Sequence, residues 1–322
     1  MKFIRLLAGV LTLVVTVAAL ATETYPSRPI RMVIAFPAGG PTDVNARQFA
    51  QAMSEQLGQS VIVDNKPGAG GNLASSLVAA APADGYTILY NTSSLLLGAL
   101  LYTSAKHDPI KDFVPVVRTA GVPLVVAVNS SIPARTMSEL VALAKKQPGK
   151  LNYASSGSGT IDHLAGALIA QLLKIDITHV PYKGTAPALT DLVGNQTQLM
   201  VTTLNTLVPF IRDQKLVPLA IASGQRSQVL PDVPTLSEAT GIPHLELTAW
   251  NGIVAPAGTP SEIVNKLNAV VNHAIGQKEF VEKLRAIGAQ AYGGTPAAYG
   301  SFLLSEQVRW KAVIEQAGVA PQ

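Results

Sequence analysis

The chain has 322 residues, 48% of them hydrophobic and 14% charged, with 24 bases against 20 acids and a net charge of +4. That length supports two domains with full cores, and that apolar content excludes a disordered chain. The charge excess is too small, and too scattered, for a nucleic-acid partner, while the absence of cysteine excludes disulfide scaffolds, thiolate zinc sites and cysteine nucleophiles.

At the N-terminus, Lys2 and Arg5 precede an apolar run over 6–20 that ends in the small-x-small triplet Ala19-Leu20-Ala21. The run is short for a membrane span and lies where an export signal lies. Residues 1–21 therefore read as a signal peptide, with the mature chain beginning at Thr22. Its removal leaves 22 bases against 20 acids and a net charge of +2. With no cysteine for a lipid anchor, a soluble periplasmic protein is expected.

Short apolar runs then alternate with helical patterns. Strands are expected at 30–35, 61–64, 87–91, 124–128, 151–154, 177–180, 199–201, 217–222 and 247–254. Helices are expected at 42–57, 72–81, 137–147, 160–173, 186–192, 206–213, 260–275, 278–287 and 296–317. In the first helix Ala46, Phe49, Met53 and Leu57 form one apolar stripe. Thr136 with Glu139 reads as a capping box, and Thr259-Pro260 and Thr295-Pro296 each set a cap before a proline at the first helical position. The alternation predicts an α/β fold with largely parallel sheets. The helix-rich end is expected to return over the first domain. Domain 1 then comprises 22–123 plus 249–322 and domain 2 comprises 124–248, with crossings near 123–128 and 248–254.

Six strand-to-helix turns are rich in glycine and small polar residues: 36–43 (FPAGGPTD), 66–72 (KPGAGGN), 91–94 (NTSS), 155–160 (SSGSGT), 181–186 (PYKGTA) and 202–205 (TTLN). In such a fold all six fall at the ligand side of the sheets. They offer main-chain N–H groups and hydroxyls but few full charges, which suits a carboxylate held by dipoles. One glycine turn alone means tight packing; six at one end point to a cleft between the domains.

Other chemistry finds little support. Gly68, Gly70 and Gly71 do not make a dinucleotide fingerprint, and no P-loop occurs. The run 155–159 resembles a nucleophile elbow but has Ser156 where that motif needs glycine. His163 reads as a first-turn helix residue that packs or holds the loop. The five histidines show no metal-ligand spacing, so no metal and no cofactor are expected. Lys183, in Val-Pro-Tyr-Lys-Gly, is either a solvated loop lysine or a cation near an anionic ligand. Trp250, at the second crossing, is either a cleft wall or a hinge-packing residue.

The ordered segments FPAGGPTD, NKPGAGGN (65–72), PADGYTIL (82–89), HVPYKGTAPAL (179–189), PDVPTLSEA (231–239) and WNGIVAPAGTP (250–260) resemble the Bug-type periplasmic solute receptors of tripartite tricarboxylate transporters, over essentially the whole mature chain. The resemblance implies a two-domain periplasmic binding protein of type II-like, Venus-flytrap form. It implies a monomer that captures a carboxylate and hands it to membrane subunits, without catalysis. In such receptors domain 2 loops grip one carboxylate, here through Ser155, Ser156, Gly157 and Thr160 with Lys183, Gly184 and Thr185. The domain 1 loop, here Phe36, Ala38, Gly39 and Gly40 with Asp43, closes over the far end. Ser93, His163, Thr202, Thr203 and Trp250 complete the expected ligand-binding set. Many members carry an acid where this chain has Thr202, and threonine cannot neutralise an ammonium. The expected ligand is therefore a dicarboxylate or aromatic acid without an amine. Two other readings stand beside this one: an exported hydrolase using Ser158 and His163, and a sensory receptor for a membrane signalling partner.

Overall fold

A computed structural model describes residues 25–286 and 288–320. The expected signal peptide at 1–21 lies outside the described residues. The chain opens with β1 (Ile30–Ile34), α1 (Pro41–Leu57), β2 (Val61–Asn65), a 3-10 turn at Ala69–Gly71, α2 (Asn72–Ala79), β3 (Thr87–Thr92) and α3 (Ser94–Leu101). β1 lies parallel between β2 and β3. Its near-continuous apolar sequence matches burial on both faces, as a parallel strand sandwiched by helices requires. Ala46, Phe49 and Met53 of the α1 stripe are all fully buried.

β4 (Phe113–Asn129) follows, then α4 (Met137–Lys146), β5 (Leu151–Ser155), α5 (Ile161–Leu173), β6 (Ile177–Pro181), α6 (Thr185–Val193), β7 (Leu199–Thr203), α7 (Leu204–Arg212), β8 (Leu216–Ile221) and α8 (Leu236–Thr240). β5 pairs in parallel with β6 and β7. The chain ends through β9 (Thr248–Pro256), α9 (Ser261–Gly276), α10 (Lys278–Ala286), β10 (Gln290–Ala291) and α11 (Pro296–Ala317).

β4 joins the two halves. Its first part, Phe113 to Pro123, runs antiparallel to β9, and its second part pairs antiparallel with β7 and β8. The change of partner falls at Pro123, which has no N–H to give a ladder. Leu247, just before β9, bonds both Leu124 and Ala222. The chain thus passes between the half-sheets twice, at Pro123 and at Leu247–Thr248. Strands are parallel where strand–helix units alternate and antiparallel where these crossing strands join them.

Several elements differ from the sequence reading. β4 begins eleven residues earlier than expected. Pro115, Gly121 and Pro123 hid it, and β-bulges around Val116 and Thr119 absorb the irregularity. α3 carried no amphipathic stripe because most of its residues are buried. Thr259 does not cap α9; the N-cap is Pro260, and the Thr259 hydroxyl donates to the Pro256 carbonyl at 2.7 Å. The capping boxes also include Thr235 with Glu238, which the sequence reading passed over.

The C-terminal helix does not cover one half alone. Tyr299 and Leu303 of α11 pack with β3, α3 and β9, while Trp310, Val313 and Ile314 pack into the core around β5 and α5. Twenty-two residues extend about 33 Å, long enough to lie across both halves.

Candidate functional site

The anchoring geometry comes from where helices begin. Gly40, Ser93, Thr160, Gly184 and Thr203 are the N-caps of α1, α3, α5, α6 and α7, and none makes a side-chain capping bond. All five line one cavity or the hollow that adjoins it. By contrast α4, α8 and α11, whose caps line neither space, are closed by the hydroxyls of Thr136, Thr235 and Thr295. α9, started by Pro260, is uncapped as well. A helix N-terminus with free N–H groups and no capping oxygen attracts an anion, and here several converge.

Of the expected residues, Phe36, Ala38, Gly40, Ser93, Ser156, Thr160, Thr185, Thr202 and Thr203 line the main cavity. Val122 of β4 and Ala249 and Asn251 of β9 supply wall from the crossing strands. Gly157, Lys183 and Gly184 line the adjoining hollow with the 66–72 turn, and the two spaces share Phe36, Pro37, Ser156 and Thr160. The cavity is small, about 80 Å³.

The lips are in contact. Tyr102, at the end of α3, donates its hydroxyl to the Ser158 carbonyl at 3.1 Å. Gly184 adopts a φ of +115°, and a Cβ there would lie 3.1 Å from the Pro37 ring.

Five expected residues stand behind the wall. Asp43 accepts from Gly39 N at 3.0 Å, Asn65 Nδ2 at 3.0 Å and Arg47 Nε at 2.9 Å. Burial opposes its charge, but those hydrogen bonds outweigh burial and hold the carboxyl below the usual range. Asp43 and Gly39 thus shape the FPAGGPTD turn rather than face the cavity. Ser155 is fully buried, and its hydroxyl lies 2.7 Å from His179 Nε2. His179 stacks on His163 at 4.0 Å and on Tyr153 at 4.9 Å, and His163 Nδ1 accepts from Gly159 N. Burial depresses both imidazoles, His179 to about 4 with the second histidine adding to the effect. These rings form a neutral prop under the serine–glycine turn. Trp250 is a correction to the cleft-wall alternative. It is 1% exposed, packs on Tyr299 and Phe302, and donates to Glu306 Oε2 at 2.8 Å.

The hydrolase reading finds no geometry. Ser158 offers its carbonyl to Tyr102, and His163 Nδ1 is already taken by the Gly159 amide. The close Ser155–His179 pair lies off the cavity wall.

The expected ligand-binding set left out several polar wall residues, among them Asn45, Asn205 and Asp162. Asn45 and Asn205 each have a buried amide oxygen without a partner, a condition that a ligand or water would relieve. Asp162 is the one ionisable side chain on the main cavity's wall among the described residues. It is 3% exposed and accepts from Ser156 N at 3.3 Å. Burial pushes its carboxyl up to about 6, against the lowering effect of hydrogen bonds from Ser156 and Thr202. An amide or acid in the first turns of a helix that follows a ligand-side turn was the available signal.

A family model described as the tripartite tricarboxylate transporter family receptor matches residues 45–319. Protein BugT of Bordetella pertussis is 36% identical over 323 residues, covering 99% of each chain. Among solved structures, R. palustris Rpa4515 with adipate aligns with a TM-score of 0.90 at 38% identity, over 92% of this chain and 100% of that one. MatC (Rpa3494) from Rhodopseudomonas palustris with bound malate aligns at 0.85 and 35% identity, over 90% and 100%. The fold is thus that of the two-domain periplasmic binding proteins, and the lineage is one of solute receptors, not enzymes. The chain belongs to the receptor family of the tripartite tricarboxylate transporters, with Bug proteins among its relatives.

Proposed function

We propose that this chain is an exported, monomeric periplasmic receptor that captures a small dicarboxylate and delivers it to the membrane subunits of a tripartite tricarboxylate transporter. The observation that carries this reading is the convergence of uncapped helix N-termini on one small cavity whose wall bears hydroxyls and amides but no lysine or arginine. Oriented N–H dipoles hold a carboxylate without a counter-ion and need little reorganisation. Relatives that bind adipate and malate support the class and size of ligand. Residues 22–123 plus 249–322 and residues 124–248 are the proposed moving bodies, with the crossings at Pro123 and Leu247–Thr248 as hinge.

A second reading concerns the amine. Thr202 offers no charge to an ammonium, yet Asp162 supplies an acid from another element, its charged form favoured by the Thr202 hydroxyl. An ionised Asp162 would pair with the ammonium of an amino dicarboxylate. A thermal-shift screen over mono-, di- and tricarboxylates, amino dicarboxylates and the matching diamides separates these readings. Ligand at a hundredfold excess over Kd adds about 2.7 kcal/mol of apparent stability. A large upward shift is expected with adipate-sized or malate-sized dicarboxylates and none with diamides. A flat response to every acid would refute carboxylate capture, and a strongest response to aspartate or glutamate would favour the amino-acid reading.

A further inference from the structure

Asp162 is a puzzle in a cleft for anions. It is the second residue of α5, it lies on the cavity wall, and it is almost wholly buried. Its carboxylate takes the Ser156 N–H and interacts with the Ser156 and Thr202 hydroxyls. Those are donors that a solute's carboxylate would need. No cation on the wall offsets two negative charges held side by side in so dry a space.

Among the described residues no other ionisable group lines the main cavity to absorb that charge; on α11, which packs against α5, Arg309 is paired with Glu306. On α5, β6 and β5 the titratable side chains are His163, His179 and Tyr153, stacked on one another behind the turn. Burial keeps both imidazoles neutral near pH 7. On α6, Asp191 is engaged with Tyr182. Across the cleft Asp43 is tied to Arg47. Lys183 lines the adjoining hollow, not the main cavity.

We propose that Asp162 is the specificity-determining residue of the cleft, admitting an anionic carboxylate only as its own neutral acid, so that capture carries one proton into the site. The proton comes from solvent and stays on an Asp162 oxygen, whose O–H then donates to the solute's carboxylate. The Ser156 and Thr202 hydroxyls, no longer drawn to a charged Asp162, turn their protons to the solute as well. Burial already raises the pKa of this carboxyl to about 6, which keeps the cost of protonating it small at neutral pH. This inference rests on the carboxylate reading above.

The test is titration calorimetry with adipate and malate between pH 6 and 8.5, in paired buffers of different ionisation enthalpy. Over this range the solutes stay ionised. For the wild type, Kd is expected to rise roughly tenfold per pH unit above the Asp162 midpoint, with uptake of about one proton per solute near pH 8. Asp162→Asn carries a neutral N–H donor of the same shape. It is expected to bind at pH 8 as the wild type does at pH 6, with a flat pH profile and no proton uptake. Thr202→Val removes a hydroxyl that favours the ionised acid and is expected to move the midpoint to higher pH. Melting curves report whether each variant folds. Solute binding without proton uptake, or loss of binding in folded Asp162→Asn at every pH, overturns the proposal while leaving carboxylate capture intact. No binding of either acid at any pH overturns both.

Discussion

Replacing Gly184 by valine is expected to weaken solute capture by roughly ten- to a hundredfold, more than it weakens the fold. Two effects separate. Gly184 has φ +115°, a region that L side chains rarely adopt, so any side chain there strains both open and closed states. That strain is about 1–3 kcal/mol of stability. The second effect belongs to closure alone. A Cβ would meet Cγ and Cδ of Pro37 at 3.1 Å, and Pro37 is a stiff ring on the opposing lip. Valine's additional carbons press further into it, and overpacking of this kind costs about 1–3 kcal/mol. The penalty falls on the closed state and appears as lost affinity, at tenfold per 1.4 kcal/mol. Gly184→Ala carries the same backbone strain with a smaller clash. Calorimetry on both variants, alongside denaturant melts, checks the separation. Equal affinity for the valine and alanine variants would show that the Pro37–Gly184 contact does not limit closure.

Trp250→Ala is expected to cost about 3–5 kcal/mol of stability, because a fully packed indole in the interior leaves a large cavity. The indole also shares Glu306 with Trp310. Their Nε1 groups donate to the same Oε2 at 2.8 and 2.9 Å, and Arg309 holds the other oxygen at 3.0 Å. Glu306 is itself buried, so losing one donor leaves its charge less compensated. This carboxylate ties β9, a crossing strand, to the helix that lies over both halves. Urea unfolding measures the loss, and solute affinity of the remaining folded protein is expected to stay within a few-fold of wild type. Retained stability with a hundredfold affinity loss would instead make Trp250 a cleft wall.

The order of strands and helices was readable because each parallel strand is a short apolar run and most covering helices have a stripe, as Ala46, Phe49 and Met53 show. The glycine and serine turns were readable as the ligand side, since turns after parallel strands all emerge at one end. What escaped was whatever depends on approach in space. Ser155, His163 and Trp250 look like site residues in the sequence, yet each lies one layer back, supporting the turn or the crossing strand. Asp162 escaped because nothing in one dimension shows that its carboxyl is buried at the cavity wall near Thr202. Asn45 sits in a helix that reads as an ordinary packing element, and Asn205 ends the ligand-side turn 202–205 without standing out in it. β4 was cut short by Pro115 and Pro123, residues that argue against a strand locally but are tolerated at bulges and at a change of partner. The far reach of α11 was not legible either, since helix length says how far a helix extends but not which surfaces it covers.

In the proposed receptor, charge in the cleft is met by helix N-termini and hydroxyls rather than by a basic side chain. A crystal structure of the protein grown with the tightest-binding dicarboxylate tests this most directly. Carboxylate oxygens are expected within hydrogen-bonding distance of main-chain N–H groups at the starts of α5, α6 or α7 and of the hydroxyls of Ser156, Thr185 or Thr203, with Asp162 in contact with one of those oxygens. A solute whose carboxylates instead pair with Lys183 or an arginine, or that sits outside this cavity, would contradict it.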